Sequence, residues 1–470
     1  MAHSVFANRY AARFVKPLNL LLTFVNSGLT KRCFIFANQK TNAFLPMQKL
    51  VYIFFITILF LSKTSIAQSV SDTTELTFSA AEKIFLQNNL SLLANKYNVD
   101  INKVLIKQAK LWDNPILSTD QNIYDGKFFQ HNSTGGQVYV QVMQLIKTAG
   151  KRSKAAQIAT DNTVLAQQQF DDLLRTLRYT LQNDFLEISH LLEIKKVYTG
   201  EIGQVSKLAN SMDILLQAGN VSLKDNLRIK ALLFSLENEL VNTDAQLLST
   251  ESEIKLLLNN NETKFIAPKV DYKFAGLTTA TLPTIDTLLA QALINRPDAK
   301  IAQTTLALQN HNLTYQKALG KPDVSIGTEY DQRSSYANNY VGLAISLPLN
   351  IFNRNQGYID AAKFSILQQQ AVVNLTNAGI KNDITTAASK FTFYQNINNR
   401  QQLDFSQQYD KLFNNMLNSY QQRQMSLLEF IDFIDAYKDT KLKLVEQHNQ
   451  LIHAAQDLNF AVGNDVVQLN

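Results

Sequence analysis

The sequence predicts a mainly α-helical protein with a small β part, built twice along one chain. Three observations carry that prediction: self-similarity at a spacing of about 205 residues, long proline-free stretches with helical periodicity, and short alternating strands beside them.

The repeat comes first. Asn88-Asn89 precedes a helical stretch ending near Trp112, after which Pro115 opens a strand; Asn295-Arg296 and Pro322 stand in the same roles 207 positions later. Val138-Tyr139-Val140-Gln141-Val142 matches Val341-Gly342-Leu343-Ala344-Ile345 at 203, and Ser222-Leu223-Lys224-Asp225 matches Ser426-Leu427-Leu428-Glu429 at 204. The register slips between the two strands, where a hairpin loop tolerates a change of length. Residues 68–258 thus form a first repeat and 284–470 a second, joined by a linker at 259–283 that holds Asn259-Asn260-Asn261, Pro268, Gly276 and Pro283. Each repeat reads as helix, strand, strand, long helix, turn, helix. Ser79-Ala80-Ala81-Glu82 reads as a capping box at the first helix start, with Asp286 at the corresponding place in the second copy.

No proline occurs from 116 to 267 or after Pro348, so long helices are allowed there. Phe170, Leu174, Leu177, Leu181, Phe185, Ile188 and Leu192 recur with a mean gap of about 3.7, close to a straight helix. From Lys151 to about Leu216 such a helix reaches roughly 95 Å. Gly200 and Gly203 inside it point to a local bend or a close helix approach.

The strands alternate. Val138, Val140 and Val142 share one face, with Tyr139, Gln141 and Met143 on the other; Val341, Leu343, Ile345 and Leu347 stand against Gly342, Ala344 and Ser346. One face suits lipid and the other a water-filled lumen. In the strands after Pro115 and Pro322, Val324, Ile326 and Tyr330 suit the outer face, while Leu117, Thr119, Gln121 and Ile123 alternate weakly. Each strand is expected to run nine or ten residues, about enough to cross a bilayer when tilted. Four strands leave two open edges, and membrane barrels begin at about eight strands, so a pore needs several chains. Two chains or three satisfy this equally.

The leader and the charge belong together. Met47, Gln48 and Lys49 precede the apolar run Leu50 to Leu61 and the small-residue exit Ser65-Ile66-Ala67, so residues 47–67 read as a secretory signal. Residues 1–46 then read as an upstream extension from a start codon placed too early; their Arg-rich, acid-free character also fits a transit peptide. The net charge of +6 resides in this leader, since residues 1–67 hold eight Lys or Arg and no Asp or Glu. What remains carries 37 basic and 39 acidic residues and gives no argument for nucleic acid. The single cysteine, Cys33, lies in the leader, which excludes a disulfide, a thiolate zinc site or a cysteine nucleophile in the mature chain.

Signal, duplication, paired hairpins and proline-free helices together resemble the TolC family of bacterial outer-membrane efflux proteins, over about Glu75 to Gly463. The turn Gly219-Asn220-Val221-Ser222-Leu223-Lys224-Asp225 carries the most specific likeness. Its second copy reads Arg423-Gln424-Met425-Ser426-Leu427-Leu428-Glu429, where Arg423 departs from the family's usual Gly. The resemblance implies a homotrimer in the outer membrane of a Gram-negative-type bacterium, with four strands per chain in a twelve-stranded barrel and the helices continuing it as a periplasmic tunnel. It also implies a passive duct of a tripartite efflux system and no enzyme or cofactor. The partners implied are a periplasmic adaptor and an inner-membrane transporter of RND type. The turn residues Gly219, Asn220, Val221, Ser222, Arg423, Gln424, Met425 and Ser426 would form the adaptor-contacting tip. Glu429 and Asp432, three residues apart, match acidic rings that narrow the tunnel mouth; equally, they fit an ordinary acidic first helical turn. The Ser426 to Asp432 stretch, with Gln68 in place of a lipid-anchor cysteine, is closer to the heavy-metal (cobalt, zinc, cadmium) branch than to lipoprotein drug ducts. Type I protein secretion and a pore-less periplasmic coiled-coil scaffold are the rival functions.

Other signals point to no chemistry. His131, His190, His311, His448 and His453 are scattered, and His448 with His453 is an i, i+5 pair on different helix faces. Gly135-Gly136 reads as a hairpin loop, since no Gly-Lys-Ser/Thr follows. Asn132-Ser133-Thr134 fits a glycosylation acceptor. Lys151-Arg152-Ser153-Lys154, where strand becomes helix, reads as either a headgroup contact or a solvated helix start.

Overall fold

The computed structural model describes residues 73–131, 135–261, 264–269, 274–398, 402–422 and 424–469. The leader, the Asn132-Ser133-Thr134 triplet and Arg423 lie outside the described residues.

The first repeat runs β1 (Thr73–Thr77), α1 (Phe78–Asn88), α2 (Leu90–Ala109), β2 (Ile116–Gln121), β3 (Val138–Ile146), α3 (Lys151–Gln217) and α4 (Leu223–Leu258). The joining segment holds β4 (Phe265–Lys269) and α5 (Phe274–Thr279), and the second repeat runs α6 (Ile285–Asn295), α7 (Pro297–Leu319), β5 (Val324–Arg333), β6 (Asn338–Ser346), α8 (Gln356–Asn398), α9 (Gln402–Gln421) and α10 (Leu427–Val462). Duplication is visible at single-residue level. α1 shifted by 207 is α6 at both ends, and α4 shifted by 204 is α10 at both ends. The long helix α3 corresponds to α8 and α9 together.

Local chemistry explains the boundaries. Thr77 caps α1 by accepting from the Ala80 amide, and Thr284 caps α6 by accepting from that of Thr287. The expected Ser79 capping box is therefore corrected: the helix begins two residues earlier, leaving Ser79 inside its first turn. Asn89 ends α1 and caps α2 with its side chain, and its amide group donates to Leu257 O at 2.8 Å. At the matching break Arg296 offers no side-chain cap, and Pro297 opens α7, where its missing N–H costs nothing.

α3 spans 67 residues, about 100 Å. Of its expected apolar stripe, Leu181, Phe185 and Ile188 are fully buried, with Phe170, Leu174, Leu177 and Leu192 packed around them. A Cβ placed on Gly200 or Gly203 would meet nothing within 4 Å, so a close helix approach is not what these glycines serve. Among the described residues three apolar cores result. One lies in the first repeat around Phe185, Leu247 and Ile254, and its counterpart in the second around Phe391, Leu451 and Leu458. The third joins both repeats near the turns, through Leu208, Leu236, Phe413, Phe430 and Ile434.

The joining segment 259–283 holds structure of its own. β4 pairs in parallel with β1, Thr73 opposite Phe265 and Leu76 opposite Pro268. Pro268 hides this strand from sequence patterning, yet a two-stranded sheet has only edges, where proline is tolerated. The other sheet is antiparallel in the order β2-β3-β5-β6, so β2 and β6 have open outer edges within the chain. β3, β5 and β6 have the expected length; β2 has six residues. It stops where the Asn122 side chain accepts the Gln137 amide at 2.7 Å.

Candidate functional site

The residues singled out from sequence fall in two places, the four-stranded sheet and the turns of the helical hairpins. In an antiparallel sheet, residues directly opposite one another share a face. The register sets Leu117 against Val142, Val140 against Tyr330, Ile326 against Ile345, Thr328 against Leu343, and Tyr330 against Val341. One face therefore gathers Val138, Val140, Val142, Ile326, Tyr330, Val341, Leu343 and Ile345. Its outermost strand is bare, with Val341, Leu343 and Ile345 each about two-thirds exposed. Thr119, Gln121, Thr328 and Gln144 interrupt this face, and Gln144 donates to Asp113 O at 2.9 Å.

The opposite face is polar. Glu329 accepts from the Tyr139 hydroxyl at 2.9 Å and from Gln141 Nε2 at 3.2 Å. Asp120 and Asp331 flank Tyr139 on the same face. Gly327 and Gly342 let larger neighbours lie across this surface. A Cβ at Gly327 would collide with the Val142 carbonyl and Met143 sulfur, and one at Gly342 with the Tyr340 ring. The acids Asp120, Glu329 and Asp331 were not singled out from sequence. Their signal was the every-second-residue placement of Glu329 and Asp331 around Tyr330.

Where strand becomes helix, Lys151 is buried. Its ammonium donates to Lys321 O and to Asp323 Oδ1, each at 2.7 Å, and Asp323 also accepts the Thr148 amide at 2.8 Å. Burial pushes the Asp323 carboxyl up, but Lys151 and the Thr148 amide outweigh it and hold the group below its usual range. Arg152 stacks on Trp112, 3.7 Å from the ring centroid. Lys151 is thus neither a headgroup contact nor a solvated helix start: it welds α3 to the root of β5.

At the first turn, Gly219 has φ +71° and closes α3 in a Schellman motif, with the Asn220 amide donating to Leu215 O at 2.8 Å and that of Gly219 to Leu216 O at 3.0 Å. Ser222 then caps α4, accepting the Asp225 amide at 3.1 Å. Asn226, buried, donates to Asp213 Oδ1 at 2.8 Å, and Lys230 meets the same oxygen at 2.7 Å, bracing the hairpin. In the second turn the Gln424 amide donates to Ser419 O at 2.9 Å, and Ser426 with Glu429 forms a full capping box. The Ser426 amide and hydroxyl both donate to Glu429, and these bonds hold its carboxyl below the usual range. Tyr420 stacks on Phe430, with ring centroids 4.7 Å apart, and fixes this turn to the shared core. Of the expected tip residues, Val221 and Met425 pack against that core, leaving Gly219, Asn220, Ser222, Gln424 and Ser426 exposed. Glu429 and Asp432 are both exposed at the start of α10.

Among the described residues no helix is long and apolar enough to cross a membrane, and no group of three or more His, Cys, Asp or Glu is placed to hold a metal ion.

The fold is thus a two-faced antiparallel sheet with open edges, carried on helical hairpins about 100 Å long. The chain matches no family model. It is 26% identical over 289 residues to the cobalt-zinc-cadmium resistance protein CzcC of Cupriavidus metallidurans, a match covering 61% of this chain and 66% of that relative's length. Its fold resembles that of the outer membrane protein VceC of Vibrio cholerae, with a TM-score of 0.64 and 17% identity over 82% of this chain and 96% of the other. It also resembles CusC, with a TM-score of 0.67 and 14% identity over 85% and 96%. The chain thus shares the fold of these outer-membrane proteins, and over 61% of its length its sequence is similar to that of CzcC.

Proposed function

We propose that this chain is the outer-membrane channel of a tripartite efflux system, a passive exit duct for small molecules or metal ions across the periplasm and the outer membrane. The observation that carries this reading is the sheet register, which gives β3, β5 and β6 one mainly apolar face and one mainly polar, hydrogen-bonded face. Water on one side and lipid on the other is the setting in which both faces are satisfied. Because four is even, β6 runs opposite to β2, so neighbouring copies join edge to edge without breaking the antiparallel pattern. Three copies give a twelve-stranded barrel with no free edge. The exposed turn residues then meet a periplasmic adaptor, and an inner-membrane transporter of RND type supplies the energy.

At the periplasmic mouth, three copies of Glu429 and Asp432 surround one axis with six carboxylates, an arrangement that favours cations and repels anions. Metal cations are the cargo that this charge and the cobalt-zinc-cadmium relative support together. Growth of a deletion strain on cobalt, zinc, cadmium and drugs tests the cargo: sensitivity to the metals is expected, and sensitivity to drugs alone contradicts it. The duct itself is tested by cysteine labelling, since Cys33 is the chain's only cysteine and lies in the leader. Val140→Cys and Leu343→Cys are expected to react with lipid-phase reagents and Gln141→Cys with water-soluble ones. The reverse pattern would sink the proposal.

A further inference from the structure

α3 carries an acid where its core stripe calls for an apolar side chain. Tyr198, Val205, Leu208 and Met212 are buried along one face of this helix, and Glu201 occupies the same face between Tyr198 and Val205. It is 3% exposed, and neither carboxyl oxygen has a hydrogen-bond partner among the described residues. An unpaired carboxylate in such a place is far more costly than the neutral acid.

Its charged surroundings are mixed, with Lys438 favouring ionisation and three acids opposing it. From α4 comes Glu239, already engaged by the Tyr198 hydroxyl and by Lys438 Nζ at 3.3 Å. From α10 come Asp435, Asp439 and Lys438, and the lysine's ammonium is shared between Glu239 and Asp435, the latter at 3.8 Å. From α9, whose Phe413 and Leu417 complete this core, Lys411 lies exposed. Among the described residues the one cation set against Glu201, Lys438, is thus shared with Glu239 and Asp435, and three acids surround it. Beside the cluster a cavity of about 410 Å³, lined by Tyr198, Glu239, Asn242, Thr243, Gln246 and Glu446, offers water a way in.

We propose that Glu201 is a proton-held latch: protonated, it lets α3 seal against α4 and α10; deprotonated, it repels Glu239, Asp435 and Asp439 and loosens α10. Asp435 stands six residues beyond Glu429 on the same helix, about 9 Å along its axis. Loosening α10 there shifts Glu429 and Asp432, and this last step alone rests on the channel reading above. Burial, ahead of the neighbouring charges, pushes the Glu201 carboxyl from 4.5 up to about 8. Its contribution to stability is therefore complete below the ordinary value and is lost as pH rises through about 8.

The test uses the full chain, purified in detergent, beside Glu201→Gln, which mimics the protonated side chain in shape and charge. Between pH about 7 and about 9 the deprotonated fraction of a group with this pKa rises about tenfold. Infrared difference spectra are expected to show a protonated carboxyl lost across that range in the wild type and missing from the variant. Amide hydrogen exchange over residues 427–440, taken as the ratio of wild type to variant at each pH, is expected to climb about tenfold in step. Channel open probability in planar bilayers should rise with it in the wild type and stay flat in Glu201→Gln. Absence of the titrating carboxyl, or an exchange ratio that does not change with pH, overturns the latch. A titrating carboxyl and a rising exchange ratio without any conductance would instead establish the latch and overturn the channel reading.

Discussion

Phe185 in the helical wall and Leu343 in the sheet are both apolar residues on regularly spaced faces, yet one is 1% exposed and the other 68%. The helices satisfy their own backbone and close cores within one chain, while Phe234, Leu256, Phe364 and Leu375 stay exposed on them. The sheet does neither: its apolar face is bare and its two edges are open. The wall thus carries cores of its own, whereas in the proposed channel the sheet is completed by lipid on one side and further copies at its edges.

The largest expected effect follows from the wall. Phe185→Ala empties a closed core and should cost roughly 3–5 kcal/mol in denaturant unfolding of the helical part. A loss below about 1 kcal/mol would mean that this core is looser than its burial shows. On the sheet, Leu343→Arg should leave the unfolding of the helices unchanged and cost about 2–4 kcal/mol in membrane insertion, if the residue sits near the bilayer midplane. Liposome partitioning measures it, and an unimpaired variant would break the contrast between the two regions.

Smaller effects separate the turns from both regions. Ser426→Ala removes the cap of α10 and should cost about 1 kcal/mol, read as faster amide exchange over its first turn. Because the Glu429 carboxyl is held below its ordinary range, the box it forms with Ser426 is kept above that range and lost as pH falls through the lowered value. Exchange at the first turn of α10 should quicken there in the wild type but not in Glu429→Gln. Smallest in stability is the pair Glu429→Gln and Asp432→Asn, both exposed, which should change ion preference and little else. Reversal potentials under a salt gradient are expected to move towards anions; unchanged potentials would leave these acids as ordinary residues of a first helical turn.

Much of this was legible in sequence, for reasons that differ by element. The stripe from Phe170 to Leu192 announced α3 because a long helix repeats its signal many times, and the duplication was visible because both copies keep their spacing through the helices. β1 and β4 escaped notice: each has five residues, one contains Pro268, and their pairing links positions nearly two hundred residues apart. Ser79 misled because Thr77, two residues earlier, is an equally good cap, and sequence cannot tell which residue leaves the helical conformation first. Lys151 read as a surface charge because its partner Asp323 belongs to the other repeat. Glu201 was illegible for the same kind of reason. One acid among many on a long helix shows its peculiarity only once the neighbouring helices leave it unpaired.

The most direct test of the central claim joins two readings on one sample: the mass of the detergent-purified protein and its conductance in a planar bilayer. The mass of three chains, with a steady conductance, is the predicted result. A water-soluble monomer that carries no current would contradict it.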